Sequence, residues 1–317
     1  MKKVGLLANS DISVLWKMTP HSDGKWGNVD FNPENQEEYD YIIVLNHPLK
    51  SCSVKVPKEN IWALMQEPYL RGRQEYMVEK HDLYSKVFTH YPPSSDKKYI
   101  VTPPLTPWFL HKKYEELEHL PVPEKCLDLS CVSSTKTIYP GHKKRLSFIN
   151  YLTKCEDLHC DFFGKGICEI SDKWDALADY KYSIAIENTS KLDYWTEKIS
   201  DCFLSYTVPI YYGCTNILEY FPADSYIYID ITQPSLALKK IQEIIKEDDW
   251  DSRLRSLEKA RNLVLDEYNF FSFMVKRINE VKNTNNLVEN VVIPKYNYRS
   301  VNNIKKYSLE IIKNYLN

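Results

Sequence analysis

The chain has 317 residues, 43% of them hydrophobic and 26% charged, and this composition excludes wholesale disorder. Its 41 Lys and Arg residues against 43 Asp and Glu give a net charge of -2, so nucleic acid is not an expected partner. At roughly 100–200 residues per domain, the length predicts two domains.

The N-terminal sequence and the cysteines indicate in which cellular compartment the protein is expected. The basic N-terminus precedes an apolar stretch too short for a signal peptide, and nowhere is there an apolar run of roughly 18 residues that would predict a transmembrane helix. None of the eight cysteines forms a C-x-x-C pair, so they are interpreted as small buried side chains in a reducing compartment. These patterns predict a cytoplasmic protein, at most peripheral to a membrane.

The first half alternates short apolar runs with polar, helix-capable stretches. Strands are predicted at residues 4–8, 41–46, 60–65 and 86–90, and a crossover helix at about 72–83. This is the pattern of βαβ units with a parallel sheet. A proline-rich stretch between Pro92 and Pro123 predicts an interdomain connection, with domains at residues 1–124 and 125–317.

The second half restarts the same alternation. Strands are predicted at 127–133, 158–163, 182–186, 208–213 and 226–229, and helices at 143–153, 197–206, 217–220, 236–247 and 254–282. Two Rossmann-like halves in tandem predict an α/β fold in which two domains face each other across a cleft. Ligands of such sheets bind outside the carboxyl ends of the strands.

Residues 180–222 are the most informative segment: YKYSIAIENTSKLDYWTEKISDCFLSYTVPIYYGCTNILEYFP. A buried strand ends at Glu187 and Asn188, and Thr196 then caps a helix whose first turn holds Lys198. Cations are disfavoured at a helix N-terminus, so this lysine indicates an anionic ligand such as a pyrophosphate. The structural alternative is a lysine on a solvated surface.

Several familiar phosphate-binding, metal-binding and nucleophile motifs are absent from the sequence. There is no P-loop, H-E-x-x-H or G-x-S-x-G pattern, and Gly164-Lys165-Gly166 lacks the third glycine of a dinucleotide motif. Asp249-Trp250-Asp251 is formally a D-x-D, but its helical surroundings favour a helix-start cap.

The segment at 180–222 resembles the signature of glycosyltransferase family 10, the α-1,3/α-1,4-fucosyltransferases. The family's characteristic motifs are Y-K-x-x-[IL]-x-x-E-N, [DG]-Y-[VW]-T-E-K, VP[IV]-x-x-G and x-x-F-P. All four motifs occur here in that order. Weaker likeness extends upstream to Ser133-Ser134 and Arg145 and downstream to the strand from Ser225 to Asp230. In the first half, Trp26-Gly27-Asn28 and residues 60–68 resemble soluble bacterial-type members.

The resemblance implies a GT-B fold and an inverting fucosyltransferase. L-Fucose would pass from GDP-β-L-fucose to a hydroxyl of a glycan or glycolipid, with an α-1,3-type linkage. Residues 1–124 would form the acceptor-side domain and residues 125–317 the donor domain with closing C-terminal helices. Two alternatives stay open: an inverting enzyme for a different nucleotide-deoxysugar, and a non-catalytic nucleotide- or carbohydrate-binding relative.

The resemblance also implies roles for individual residues. Glu67 matches the acid of the family's E-[SP]-P motif and would be the general base that deprotonates the acceptor hydroxyl. The donor-binding set is Ser133, Arg145, Asn188, Tyr194, Glu197 and Lys198. Within it, the two cations would hold the diphosphate, Glu197 would contact the sugar, and Tyr194 and Asn188 would line the nucleotide and fucose pocket.

Acceptor contacts are expected from aromatic side chains that stack on a sugar, each of which could equally belong to the core. The candidates are Trp26, Tyr69 and Trp108. No metal or cofactor is expected to be required, since a divalent ion only stimulates some family members. Residues 302–317 combine apolar residues at helical spacing with lysines, which favours a closing helix over the alternative of peripheral membrane contact.

Overall fold

The computed structural model describes residues 1–33, 37–137, 140–281 and 287–297, which form two compact units. The first unit contains Met1–Pro107, Lys113–Glu115 and the described residues from Asn269 onward. The second unit contains Trp108–Lys112 and the described residues of Glu116–Tyr268.

The first unit is built on a largely parallel sheet. Its strands are β1 (Lys2–Ala8), β2 (Lys25–Trp26), β3 (Val29–Asp30), β4 (Tyr41–Leu45), β5 (Cys52–Pro57), β6 (Ile61–Met65), β7 (Lys86–Thr89) and β8 (Tyr99–Val101). Seven of them form one sheet in the order β2-β3-β1-β4-β6-β7-β8, in which β2–β3 is the antiparallel pair. Every residue of β4 and β6 is buried, as expected for central strands covered on both faces.

The predicted crossover helix at 72–83 is wrong. Only a single 3-10 turn, Glu75–Met77, lies between β6 and β7 in this region. Gly72 and Lys80 adopt left-handed backbone angles, φ 86° and 61°, and residues in that conformation interrupt an α-helix. The buried Glu75, Tyr76 and Met77 cover the sheet in place of a helix face.

The second unit is a five-stranded, wholly parallel sheet with helices. Helix α1 (Tyr114–Glu118) precedes the sheet in the chain. The helices that follow are α2 (Pro140–Leu152), α3 (Glu197–Leu204), α4 (Pro234–Glu247) and α5 (Trp250–Asn262). The strands are β9 (Leu127–Val132), β10 (Asp161–Phe163), β11 (Tyr180–Ile186), β12 (Val208–Tyr212) and β13 (Ile227–Tyr228). The order is β10-β9-β11-β12-β13. This doubly wound order reverses direction between β9 and β11, and such reversals are where open α/β sheets bind ligands.

The predicted helix at 254–282 is broken into separate pieces. After α5 come a π-helical turn, Leu263–Glu267, and then α6 (Phe270–Glu280). Asn269 caps α6, since its Oδ1 accepts from the Phe271 N–H at 3.0 Å while its Nδ2 donates to the Met18 carbonyl at 2.9 Å. The chain joins the first unit at this asparagine, so the predicted assignment of all of 125–317 to one domain differs from the compact units.

The last described strand completes the first unit. Strand β14 (Val288–Ile293) pairs antiparallel with β5. The predicted C-terminal helix at 302–317 lies outside the described residues. Among the helices that are described, none is long and apolar enough to cross a bilayer.

Candidate functional site

The strand-order reversal in the second unit brings together the loops after β9 and β11 and the start of α2. Gly141, in the first turn of α2, lies so close to the loop after β11 that a Cβ atom there would be 1.6 Å from the Asn188 carbonyl oxygen. Only glycine permits this approach without moving the backbone. The helix N-terminus is therefore held against the carboxyl end of β11.

Arg145 lies on α2 beside these loops and is only 5% exposed. Its Nη1 donates to Asn188 Oδ1 at 2.6 Å, and its Nη2 approaches the Ser134 carbonyl and hydroxyl oxygens at 3.3 and 3.4 Å. Among the described residues these hydrogen-bond partners are all neutral, and its Nε has none. Burial lowers the pKa of the guanidinium. A buried cation bonded only to neutral oxygens is suited to an incoming anion.

Lys198 has a different environment, because carboxylates surround it. Its Nζ lies 2.9 Å from Glu197 Oε1 and 3.4 Å from Glu187 Oε2, and it also donates to the Thr196 hydroxyl at 3.1 Å. Burial opposes its charge, but these two acids raise its pKa. The lysine that is predicted to bind an anionic ligand therefore already forms ion pairs with carboxylates of the protein.

Glu187 links the end of β11 to the start of α3. The Thr196 N–H and hydroxyl both donate to its Oε1, at 2.8 and 2.9 Å, and the residue is 1% exposed. Burial raises the pKa of Glu187. Burial acts in the same direction on Glu197, but Lys198, Lys173 and hydrogen bonds together lower the pKa of that carboxyl. The cap on α3 predicted for Thr196 is confirmed, since its side chain accepts from the Lys198 N–H.

Gly213, the glycine of the VP[IV]-x-x-G motif, makes room for this carboxylate. A Cβ at position 213 would be 2.4 Å from Glu187 Cγ and 2.4 Å from the Tyr211 hydroxyl. The motif glycine is thus required by close packing, since its backbone angle is not left-handed.

A cavity of about 260 Å³ opens at this end of the sheet. Pro140, Gly141 and Lys144 line it from α2, and Tyr212 lines it from β12. The loop after β11 contributes the remaining lining residues, Glu187, Asn188, Thr189 and Ser190. The wall therefore combines a helix N-terminus, one exposed lysine and several hydrogen-bonding side chains, which suits a polar, anionic ligand.

The predicted donor-binding residues are distributed unevenly around this cavity. Asn188 lines it, and Arg145, Glu197 and Lys198 belong to the connected polar network. The Ser133 side chain has no hydrogen-bond partner among the described residues, and Ser134 contacts Arg145 in its place. Tyr194 is 2% exposed and is not among the cavity-lining residues.

Glu187 and Lys144 are not in the predicted set of donor-binding residues, although the sequence places Glu187 at the cleft end of a buried strand. The E-N dipeptide at the end of a buried strand is a signal for Glu187, because a carboxylate there must find partners in the fold. Lys144 stands in the run HKKR, where nothing in the sequence separates a cavity-lining lysine from a solvated one.

The first unit holds the predicted base and two of the predicted acceptor contacts. Glu67 follows β6 at its carboxyl end, as predicted, and its side chain is exposed. Tyr69 stacks on Tyr91, with ring centroids 4.7 Å apart and planes 23° apart. Trp26 is half-buried and packs edge-on against Tyr114 at 5.1 Å.

Trp108 belongs to the interior of the second unit. It is 2% exposed, and its indole N–H donates to the Lys112 carbonyl at 2.9 Å. A ring buried in this way offers no face to a sugar.

The D-x-D sequence at 249–251 starts a helix, as predicted. Asp249 precedes α5, but its carboxylate makes no capping bond. It pairs with Arg253 at 2.6 Å and accepts from the Tyr182 hydroxyl at 3.0 Å. Its role is therefore to join α5 to the sheet.

Solved structures show the fold class. An α1,3-fucosyltransferase matches with a TM-score of 0.51 at 14% identity, over 80% of both chains. An α-glucosyltransferase, solved with UDP and a DNA 13-mer, matches with a TM-score of 0.51 at 10% identity, over 88% of this chain and all of the other. The fold is GT-B, which defines a glycosyltransferase architecture.

Sequence comparison identifies the family that the second unit resembles. Residues 128–254 match the model for glycosyltransferase family 10 (fucosyltransferase) C-term. Human 4-galactosyl-N-acetylglucosaminide 3-alpha-L-fucosyltransferase 9 is 32% identical over 115 residues, 34% of this chain and 31% of the relative. A putative fucosyltransferase-like protein of Arabidopsis thaliana is 46% identical over 59 residues, 18% of this chain and 12% of the relative. The chain thus spans about a third or less of the length of these relatives, and the matched region includes Arg145 and the Glu187–Lys198 network.

Proposed function

We propose that the protein is an inverting fucosyltransferase that uses GDP-β-L-fucose as donor. An acceptor hydroxyl oxygen attacks the anomeric carbon from the face opposite the GDP. The new C–O bond forms as the bond to the β-phosphate oxygen breaks, and the electron pair of that bond leaves with GDP. The hydroxyl proton goes to a general base of the protein.

The observation that carries the proposal is Arg145, a buried guanidinium whose described hydrogen-bond partners are neutral oxygens. It lies at the carboxyl ends of β9 and β11, beside the cavity and within the region that matches the fucosyltransferase family model. The negative charge on GDP increases as the glycosidic bond breaks. A preorganised cation in a buried site stabilises that change more than it stabilises the intact donor.

Other charged side chains of the site bond to one another. Lys198 is shared by Glu187 and Glu197, so we propose that it orients these carboxylates as well as facing the diphosphate. Glu197 then stabilises the positive charge that develops on the sugar. Arg145, Lys198 and Lys144 together take the part that a metal ion plays in other nucleotide-sugar sites, so we expect activity to persist in the presence of a chelator.

Glu67 is the proposed general base. It follows a parallel strand at the carboxyl edge of the sheet, and Gln66 beside it is tied by hydrogen bonds to Asn46 and to the Pro104 and Leu105 carbonyls. These hydrogen bonds fix the backbone next to Glu67, the proposed general base. A carboxylate on this backbone can take the acceptor proton as the oxygen attacks.

The acceptor is proposed from the name of the human relative, which acts on a 4-galactosyl-N-acetylglucosaminide and is a 3-alpha-L-fucosyltransferase. We propose a glycan acceptor of this type and an α-1,3 linkage.

Incubation with GDP-fucose and N-acetyllactosamine, followed by mass spectrometry, tests the proposal. One added deoxyhexose and release of GDP are expected, and NMR of the product gives the anomeric configuration and the linkage. Parallel incubations with other nucleotide-deoxysugars test the alternative donor. Binding of GDP without turnover of any donor would instead support a non-catalytic relative.

A further inference from the structure

A stacked pair of tyrosines stands at the carboxyl edge of the first unit's sheet. Tyr69 and Tyr91 are nearly parallel, at 23°, with ring centroids 4.7 Å apart. Because the two rings contact each other, each has one face occupied by its neighbour. Tyr91 keeps 38% of its surface exposed, whereas Tyr69 is half-buried. Tyr91 is thus the more exposed ring, and Tyr69 supports it.

The register of the sheet places this pair and the proposed base at the same edge. Strands β6 and β7 are parallel neighbours in which Met65 is opposite Thr89. Glu67 lies two residues beyond Met65, and Tyr91 lies two residues beyond Thr89. Glu67 and Tyr91 therefore follow the ends of neighbouring strands by the same number of residues, at the same edge of the sheet.

Hydrogen bonds hold the backbone on both sides of the pair. The Tyr91 N–H donates to the Thr89 hydroxyl at 3.0 Å, and the Gln66 N–H donates to Asn46 Oδ1 at 2.9 Å. An exposed aromatic ring that is held in place loses little conformational entropy when a ligand covers it. Such rings favour ligands with a flat apolar face.

We propose that Tyr91 is a sugar-stacking residue of the acceptor site and that Tyr69 positions it. The inference rests on the proposed function and narrows the acceptor to a pyranoside that presents a face of C–H groups to the ring. One hydroxyl of that saccharide then faces Glu67. This assignment differs from the sequence prediction, in which Tyr69 itself made the stacking contact.

The test compares Tyr91→Ala with Tyr91→Phe, using N-acetyllactosamine and GDP-fucose as probes. We expect the KM for the disaccharide to rise about tenfold in the alanine variant and to stay within about twofold in the phenylalanine variant, which keeps the ring. The GDP-fucose KM, and its slow hydrolysis without acceptor, are expected to remain unchanged in both. Val292→Ala removes an exposed apolar side chain elsewhere in the same unit and serves as the matched control.

An unchanged acceptor KM in Tyr91→Ala would overturn the proposal, as would equal losses in the alanine and phenylalanine variants. Failure of the proposed function is distinguishable, because the wild-type protein would then not turn over GDP-fucose at all. In that case saturation-transfer NMR with N-acetyllactosamine still decides the binding role. A signal on the pyranose C–H protons that Tyr91→Ala abolishes supports the proposal, and no signal from the wild type overturns it.

Discussion

Arg145 is a buried cation whose described hydrogen-bond partners are neutral oxygens. Replacement by Gln keeps hydrogen-bonding capacity but removes the charge that a diphosphate would meet. Charged hydrogen bonds contribute about 2 kcal/mol, so we expect GDP to bind roughly thirtyfold more weakly to Arg145→Gln by calorimetry.

The matched control for this prediction is Lys154→Gln. It removes the same charge from an exposed residue just beyond α2, outside the cavity lining. GDP affinity should be unchanged in that variant. Equal affinities of Arg145→Gln and the wild type for GDP would contradict the assignment of the diphosphate site.

The pKa of His142 reflects the positive charge of the same region. It is 5% exposed, and burial together with Arg145, Lys198 and Lys136 lowers the pKa of His142 to about 4. An unfolded histidine titrates near pH 6.5, so between these values the unfolded chain binds more protons than the folded one. The free energy of unfolding should therefore fall as the pH is lowered from about 6.5 to 4.

Urea denaturation at several pH values between 4 and 7 measures this effect. His142→Gln should flatten that part of the pH dependence, while His159→Gln, at an exposed position of the same unit, should leave it as in the wild type. An identical pH slope for wild type and His142→Gln would show that the imidazole does not titrate differently in the two states.

At the scale of elements, the contact between α2 and the loop after β11 depends on a single glycine. Alanine is the better helix former by about 1 kcal/mol, so propensity alone predicts that Gly141→Ala stabilises the protein. Packing predicts the opposite, because the new Cβ would lie 1.6 Å from the Asn188 carbonyl oxygen. We expect α2 to move away from the loop, with about 1–3 kcal/mol of stability lost.

The same displacement would separate Arg145 from Asn188, so GDP affinity should fall together with stability in Gly141→Ala. Ser147→Ala, at an exposed position of the same helix, should be neutral in both measurements. A stabilised Gly141→Ala protein that binds GDP normally would refute the close contact.

The elements differ in how far the sequence could predict them. The strands β4, β6, β11 and β12 are mostly apolar segments in parallel sheets, and the predicted bounds agree with them to within a residue or two. Strand β14 pairs with β5 across more than 200 residues, and no local pattern encodes such a pairing. The break between α5 and α6 depends on Asn269 meeting the Met18 carbonyl, a tertiary contact that apolar periodicity does not reveal.

At the scale of the whole molecule, the candidate site was predicted best where it is contiguous in sequence. Asn188, Glu197 and Lys198 belong to one motif-bearing segment, and all three lie in the site or its network. The sharing of Lys198 between Glu187 and Glu197 was not predictable, because it depends on distances between the end of a strand and the start of a helix. The burial of Trp108 likewise excludes it from the acceptor contacts, and the sequence around Trp108 does not distinguish a core residue from a surface residue.

The residues proposed for the reaction belong to both units, and a substitution of Glu67 tests this assignment. The proposed diphosphate site belongs to the second unit, whereas Glu67 belongs to the first unit. Glu67→Gln removes the proposed base and changes no residue of the proposed GDP site. We expect the rate of transfer to fall by about 10²–10⁴, with the Kd for GDP unchanged by calorimetry.

Glu59→Gln gives the matched control, since Glu59 is an exposed glutamate of the same unit, in the turn before β6. Its transfer rate should equal that of the wild type. The pH profile separates a base from a residue that only binds, because loss of a base removes the acid limb of the transfer rate and loss of a binding contact does not. Transfer by Glu67→Gln at the wild-type rate would remove this residue from the mechanism while leaving the assignment of the GDP site intact.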